Sequence, residues 1–146
     1  MLDTLEEKLH NEIPMTKYMQ VKVASIDEEY LITTAPLEPN INDKGTGFAG
    51  SLSTLVTISA WSSCYLEVRK LGFEKSMIAV IKSDTAYRAP ITKELTCKTT
   101  LPTKEQIKTL KSKLEEKGSG SLKIKSQIIE NEKVCVDFEG VYVIKV

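Results

Sequence analysis

The chain has 146 residues, of which 41% are hydrophobic and 27% are charged. These values are typical of one globular domain, so we expect residues 1–146 to form a single domain. Lys plus Arg and Asp plus Glu number 20 each. The balanced charge gives no support to nucleic acid or an anionic membrane as a partner, and we expect neither.

The three cysteines, Cys64, Cys97 and Cys135, are far apart and show no CxxC spacing. Their odd number and spacing argue against a disulfide framework and against a zinc site, so we predict no metal. Buried free thiols fit a reducing compartment. The first residues lack the basic and apolar regions of a signal peptide. We therefore expect a cytoplasmic protein.

Hydrophobic periodicity predicts a helix over residues 2–13, ended by Pro14, and a charged helix over residues 104–117. Gly118 to Ser121 is predicted to be a flexible connector. Alternating or continuous apolar runs predict six strands, at residues 18–26, 30–37, 77–87, 94–101, 122–129 and 134–144.

The longest helical pattern covers residues 48–71 and ends before Gly72. Its apolar residues occupy most of the circumference, which predicts burial on nearly every side. Its many serines and threonines argue against a membrane span. The strands lack the regular crossover helices of a parallel sheet. The sequence therefore predicts an α+β fold in which an antiparallel sheet wraps around one long central helix.

Two common catalytic patterns are disfavoured. A Ser–His or Cys–His nucleophile would have to use His10, the one histidine, which lies on a helix face that we expect to be solvated. Residues 45–50, Gly-Thr-Gly-Phe-Ala-Gly, match G-x-G-x-x-G but do not directly follow a strand. Glu67, about 20 residues further on, lies within the helix rather than at the end of a second strand, so a dinucleotide fold is disfavoured.

The start of the long helix remains as a candidate site. Gly45, Gly47 and Gly50 let a ligand approach the backbone closely. The first turn, near Ala49, Gly50 and Ser51, offers unpaired N–H groups and the positive end of the helix dipole. Such groups can stabilise an oxyanion. The alternative is a tight turn whose N–H groups are capped or hydrated, and local features do not separate the two.

Four segments together resemble a known family. They are Ala-Pro-Leu-Glu-Pro-Asn-Ile-Asn at 35–42, Phe-Ala-Gly-Ser at 48–51, Ala-Trp at 60–61 and Tyr-Arg-Ala-Pro-Ile-Thr at 87–92. In this order the chain resembles the hotdog-fold putative thioesterase domain of the YiiD C-terminal type. The resemblance implies a hotdog fold, a homodimer or a dimer of dimers (homotetramer), and an acyl thioester bound at the dimer interface near the start of the central helix.

The resemblance also implies roles for residues at the helix start. Asn42 would orient water or the thioester carbonyl, and Gly50, with Ala49 or Ser51, would supply the oxyanion N–H. Gly47 and Phe48 would contact the substrate, with Phe48 where many hotdog thioesterases carry histidine. Ala49 replaces a glycine of the family pattern.

Other implied residues come from the helix and the long strand. Thr57 stands where related families carry a carboxylate, and it cannot act as a carboxylate base. Asp84 is the nearest carboxylate that might complete the site, unless it is a solvated strand residue. Tyr87 is a further substrate-binding candidate. Arg88 would meet a phosphate of coenzyme A, or it is an ordinary surface arginine.

Two functions follow as hypotheses. The first is a thioesterase acting on acyl-CoA or acyl-carrier-protein thioesters, with coenzyme A as part of the substrate and no other cofactor. The second is a hotdog module that binds acyl-CoA without turnover, which the missing carboxylate favours. A dehydratase would need a histidine and an aspartate in the site. Asp84 or Glu38 of one subunit within hydrogen-bond reach of Asn42 in its neighbour would favour catalysis.

Overall fold

A computed structural model describes residues 2–146. Within this range the chain forms four α-helices, a one-turn 3₁₀ helix and six strands. The helices are α1 (Leu2–Glu12), α2 (Pro14–Tyr18), α3 (Ala49–Lys70) and α4 (Lys104–Lys117), and the 3₁₀ helix is Glu38–Asn40. The strands are β1 (Lys22–Ile26), β2 (Tyr30–Ala35), β3 (Met77–Tyr87), β4 (Leu95–Thr100), β5 (Ser119–Glu130) and β6 (Lys133–Lys145).

The strands form one sheet in the order β1-β2-β4-β5-β6-β3, and every neighbouring pair is antiparallel. Strands β1 and β3 are therefore the two edges of the sheet. Helix α3 packs on β2 to β6, and the main core lies between them. This arrangement confirms the predicted α+β fold with one central helix.

Helix α3 is the element that positions the candidate site. Half of its 22 residues are buried, as its largely apolar sequence, which is charge-free as far as Leu66, predicts. It ends where Gly72 adopts a φ of 93°, a left-handed conformation that favours glycine. In residues 2–146, no helix combines the length and apolar character that crossing a membrane requires.

Helix α1 ends at Glu12, just before Pro14 as predicted. Pro14 also begins a short helix that was not predicted, α2, in whose first turn proline is tolerated because its missing N–H would have no partner. The first strand consequently begins at Lys22 rather than at Tyr18.

The segment from Ser119 to Ser121 is not a flexible connector. It begins β5 and pairs with residues 143–145 of β6. Gly118 alone ends α4, with a φ of 71°. Gly120 lies so close to the helix that a Cβ atom there would be 2.8 Å from Leu110 Cδ1. Gly120 therefore serves close packing rather than mobility.

Candidate active site

The loop before α3 is fixed by backbone contacts. Asn40 is 1% exposed, and its Nδ2 donates to the carbonyl oxygens of Met19 (2.9 Å) and Pro36 (2.8 Å). The Asn40 carbonyl in turn accepts from the N–H of Phe48 at 2.8 Å. The N–H of Gly47 donates to the Ile91 carbonyl at 2.8 Å. These bonds set where the chain enters the helix.

Gly47 has a packing reason to be glycine. A Cβ atom at this position would lie 3.0 Å from Leu52 Cδ2 and 3.1 Å from Ile91 Cβ. Both neighbours are buried. A larger residue at position 47 would therefore require Leu52 or Ile91 to shift by a few tenths of an ångström, and the loop packs closely against the segment that contains Ile91.

Asn42 uses both side-chain atoms within its own loop. Its Oδ1 accepts from the N–H groups of Lys44 (2.8 Å) and Thr46 (3.0 Å), and its Nδ2 donates to Thr46 Oγ1 at 2.9 Å. These bonds close a turn in which Gly45 has a φ of 79°. Asn42 thus lies beside the helix start, and its side chain stabilises the turn of the loop.

The first turn of α3 presents unpaired N–H groups. Phe48 is the N-cap, and within residues 2–146 its side chain makes no capping hydrogen bond. The first bond of the helix runs from the Leu52 N–H to the Phe48 carbonyl at 3.0 Å. The N–H groups of Ala49, Gly50 and Ser51 precede it and have no partner within the helix. They lie at the positive end of the helix dipole.

Phe48 and Tyr87 flank this turn. The Phe48 ring lies over Gly50, because a Cβ atom at Gly50 would be only 2.5 Å from Phe48 Cε2. Tyr87 pairs with Val136, and its hydroxyl lies 3.5 Å from the Ala49 carbonyl oxygen. Both rings are about half exposed, at 53% and 51%. The structure therefore brings Tyr87 beside the segment from Gly47 to Gly50.

Asp84 and Arg88 lie elsewhere. Asp84 pairs with Glu139, which is on the face of β6 opposite to the buried Phe138. Arg88 Nη2 lies 3.5 Å from Asp137 Oδ2 on that same outer face. Neither side chain reaches the start of α3 in its own subunit.

A groove of about 230 Å³ lies along α3 between Ser53 and Trp61. Its walls come from α3, from the residue that follows α1, and from strands β3 and β6. The lining residues are Ile13, Ser53, Thr54, Thr57, Ile58, Trp61, Val80 and Tyr142. Thr57 thus faces the groove, at the place where the resemblance puts a carboxylate in related families.

The groove has no acid–base group on its walls, as far as residues 2–146 show: the lining contains neither a carboxylate nor an imidazole. Burial raises the pKa of Tyr142 well above its usual range, and its neutral hydroxyl donates to the Thr57 carbonyl at 2.6 Å. His10 is not on a solvated face as expected. It is half-buried, and its Nε2 lies 2.7 Å from the Val21 carbonyl oxygen.

Sequence reasoning predicted only Thr57 among the groove residues and missed the other seven, which are Ile13, Ser53, Thr54, Ile58, Trp61, Val80 and Tyr142. One signal was available, because residues 50, 53, 54, 57 and 61 recur at three- and four-residue spacing and so share one helix face. The contributions of α1, β3 and β6 depend on tertiary packing and carried no comparable signal.

The comparisons with known proteins agree with this architecture. The chain is similar to a protein of unknown function from Chlorobaculum tepidum TLS, with 30% identity, a TM-score of 0.92, and 98% of this chain and 93% of that chain covered. It is similar to the putative thioesterase from Shewanella oneidensis, with 31% identity, a TM-score of 0.88, and coverage of 97% and 95%. A probable thioesterase from Pseudomonas aeruginosa shares the fold at 15% identity, with a TM-score of 0.72 and coverage of 98% and 94%.

The fold is therefore the hotdog fold of thioesterases. A family model described as "Putative thioesterase (yiiD_Cterm)" matches residues 2–146, and the chain belongs to that family.

Proposed function

We propose that this protein is a thioesterase that hydrolyses acyl-CoA or acyl-carrier-protein thioesters, with coenzyme A or the carrier as part of the substrate and no other cofactor. The observation that carries the proposal is a set of three N–H groups, at Ala49, Gly50 and Ser51, that precede the first hydrogen bond of α3 and lie one turn before the residues of that helix that line an apolar groove. The thioester carbonyl oxygen would lie at these N–H groups, and the acyl chain would lie in the groove.

The reaction needs charge stabilisation at that oxygen. Water attacks the carbonyl carbon, the oxygen gains negative charge, and collapse of the intermediate breaks the C–S bond and releases the thiol. N–H groups aimed at the developing oxyanion lower the barrier, and one such donor is worth about 2.7–4 kcal/mol. We assign Asn42 to holding the loop that positions this turn, and Phe48 and Tyr87 to its flanks. Thr57 lines the groove.

The proton of the attacking water needs an acceptor, and we assign it to a carboxylate of a second subunit. Glu38 and Asp84 are the two candidates. Glu38 is exposed at the start of the 3₁₀ helix that precedes the helix start. Asp84 faces away from α3, and Arg88 shares that outer face.

This arrangement requires a second subunit, and we propose a homodimer in which the β3 strands of two copies meet. Strand β3 is an edge of the sheet, and its Met77, Val80 and Ile81 are 56%, 40% and 64% exposed. Long exposed apolar edges usually pair with another chain or are blocked by charge. We expect Ile81→Lys to shift the mass measured by light scattering from dimer, or dimer of dimers, to monomer. Ser121→Lys on exposed β5 is the matched control, and a monomeric wild type would overturn the dimer.

We also propose a cytoplasmic location. Cys64, Cys97 and Cys135 are all unpaired and buried. Free buried thiols are usual in proteins of reducing compartments.

The test of hydrolysis is thiol release from a panel of acyl-CoAs by Gly50→Pro and Gly50→Ala variants. Both variants place a carbon against Phe48, but only proline removes the N–H. Because the first helical turn tolerates proline, the fold should survive, and a melting curve checks it. We expect Gly50→Pro to lose about 10²–10³-fold in kcat relative to Gly50→Ala. Equal activities would remove the Gly50 N–H from the mechanism.

The second candidate function is a module that holds an acyl-CoA without hydrolysing it. The groove walls described above lack a carboxylate and an imidazole, and this observation favours it. Saturable binding of acyl-CoA by calorimetry, with no thiol released from any substrate, would select the module over the enzyme.

A further inference from the structure

The segment between β3 and β4 connects the hairpin of β5 and β6 to the loop before α3. On the side of the loop, the Ile91 carbonyl accepts from the Gly47 N–H at 2.8 Å, one residue before the N-cap Phe48. The Ile91 side chain is fully buried. The position of the Ile91 carbonyl therefore helps to set where the chain enters the helix.

Glu130, the last residue of β5, binds the two residues that follow Ile91. Its Oε1 accepts from the N–H groups of Thr92 and Lys93, both at 3.0 Å, and its Oε2 accepts from Thr92 Oγ1 at 2.8 Å. Desolvation raises the pKa of Glu130, but these bonds outweigh it and hold the pKa below its usual range, so the carboxylate is ionised at neutral pH. Hydrogen bonds to an ionised acceptor are about twice as strong as those between neutral groups.

The hairpin that carries Glu130 has a tight turn. Asn131 and Glu132 have φ values of 52° and 64°, and positive φ at both central residues is the pattern of a two-residue type I′ turn. From β6, the Cys135 carbonyl accepts from the N–H of Arg88 at 2.7 Å, at the start of the segment between β3 and β4. The hairpin therefore holds this segment at both of its ends.

We propose that Glu130 is a positioning residue for the start of α3. By binding Thr92, it fixes the carbonyl of the adjoining Ile91. That carbonyl holds the Gly47 N–H and so helps to set the direction of the N–H groups in the first turn of the helix. This inference rests on the proposed function for the reaction at those N–H groups. Glu130 acts through the backbone of the segment, and an error of about 1 Å in a reacting group can cost about 10²-fold in rate.

Amide hydrogen exchange, resolved by NMR, tests the coupling without a substrate. The Gly47 amide should exchange about tenfold faster in Glu130→Ala than in the wild type, because hydrogen bonds to a charged group contribute at least that factor. In Glu130→Gln, Oε1 keeps both N–H donors and Nε2 can donate to Thr92 Oγ1, so exchange should stay at the wild-type rate. The Leu101 amide, which donates to the Glu29 carbonyl at 2.8 Å beyond the other end of β4, should not change in either variant.

The value of kcat for thiol release is then measured in the same proteins. Glu130→Ala should lose about tenfold in kcat, within the range that misplacement of a reacting group produces, and Glu130→Gln should keep most of it. Thr92→Val removes the bond to Oε2 alone and should lose less than Glu130→Ala. Glu132→Gln is the matched control, because it removes the same charge in the same turn, and it should leave both exchange and kcat unchanged.

The two measurements separate this inference from the proposed function. An unchanged rate of exchange at Gly47 in Glu130→Ala would overturn the inference, as would equal losses of kcat in Glu130→Ala and Glu130→Gln. Faster exchange at Gly47 and Leu101 alike would also overturn it, because the variant would then destabilise the whole fold. Faster exchange at Gly47 alone, in a protein that releases no thiol, refutes hydrolysis and keeps Glu130 as the residue that fixes the start of α3.

Discussion

Helix α3 carries hydroxyl side chains on two opposite sides, and their partners differ. On the side that faces the sheet, Ser59 Oγ lies 2.6 Å from Thr33 Oγ1 of β2. Beside this pair, Thr99 Oγ1 lies 2.7 Å from Ser126 Oγ, and these four residues are at most 1% exposed. On the side that faces the groove, Thr54 and Thr57 donate to carbonyls of α3 itself.

The difference lies in the partner of the hydroxyl and in its burial. A hydroxyl that bonds across to a strand fixes the helix on the sheet, and losing either partner leaves a buried polar atom unpaired. A hydroxyl that bonds back to its own helix can be buried, as Ser62 is, or half-buried beside the groove, as Thr54 and Thr57 are, and only in the second case does its face stay free for a ligand. The same residue types thus build the core on one side and an open wall on the other.

The largest effect is expected on the side that faces the sheet. Thr33→Val keeps the shape of the side chain but leaves Ser59 Oγ without its partner. The free energy of unfolding in urea should fall by about 1–3 kcal/mol. The double variant Thr33→Val/Ser59→Ala should recover part of the loss, because neither polar atom is then left unpaired. If the free energy of unfolding of the double variant falls by the full sum of the losses in Thr33→Val and Ser59→Ala, the coupling is refuted.

The next effect is a loss of stability at alkaline pH, also from the side that faces the sheet. Burial raises the pKa of Cys64 from 9.0 to about 12. Above pH 9 the unfolded chain releases this proton while the folded chain keeps it, so the unfolded state is stabilised relative to the folded state. The free energy of unfolding should fall by about 1.4 kcal/mol per pH unit for this thiol.

The check is urea unfolding at pH 8 to 10.5 in the wild type and in Cys64→Ala. The variant starts at lower stability because it leaves a cavity. Its free energy of unfolding should fall less steeply with pH, by the contribution of one proton, because all other titrating groups are common to both chains. Equal slopes would show that the Cys64 thiol ionises as readily in the folded state as in the unfolded state.

Asn42 extends the comparison to the loop, where a polar side chain again bonds to its own segment. Asn42→Asp keeps the two acceptor bonds to the N–H groups of Lys44 and Thr46, whereas Asn42→Ala removes them. We expect Asn42→Ala to lose about 1 kcal/mol of stability and much of the thiol release, and Asn42→Asp to keep most of both. Equal losses of thiol release in the two variants would show that the amide group itself contacts the substrate.

The smallest effect is expected on the side of α3 that faces the groove. Thr57→Val removes one hydroxyl that bonds only to the Ser53 carbonyl of its own helix. Stability should stay within about 0.5 kcal/mol of the wild type, as for substitutions away from buried networks. Thiol release should stay within about twofold, which is well under 1 kcal/mol in the barrier. A loss of tenfold or more would give Thr57 a role in orienting water.

Much of the fold could be predicted from sequence because it depends on local patterns. The charge-free run from Gly45 to Leu66 and the glycine at position 72 determined the central helix to within one residue at each end. The errors came where local signals admit two structures. Pro14 can end one helix or begin the next, and small residues such as Gly120 suit a linker or a close helix–strand contact.

The candidate site could be predicted less completely. The helix start and its flanking residues are continuous in the sequence. The segment from Tyr87 to Thr92 is far from them in the sequence, but it belongs to the same family pattern. The groove depends on Ile13, Val80 and Tyr142, which come from three distant segments. Their meeting is a result of sheet order and packing, which no spacing in the sequence encodes. The outward direction of Asp84 likewise depends on its register with Glu139.

The ring of Phe48 over Gly50 has a consequence for how this family can vary. The two positions compete for one small volume, since any side chain at position 50 would collide with the ring as it now lies. Replacement of Gly50 therefore requires a smaller residue at position 48 or a ring turned out into solvent. A change at position 50 therefore moves the ring, whereas a smaller residue at position 48 would leave position 50 free to vary.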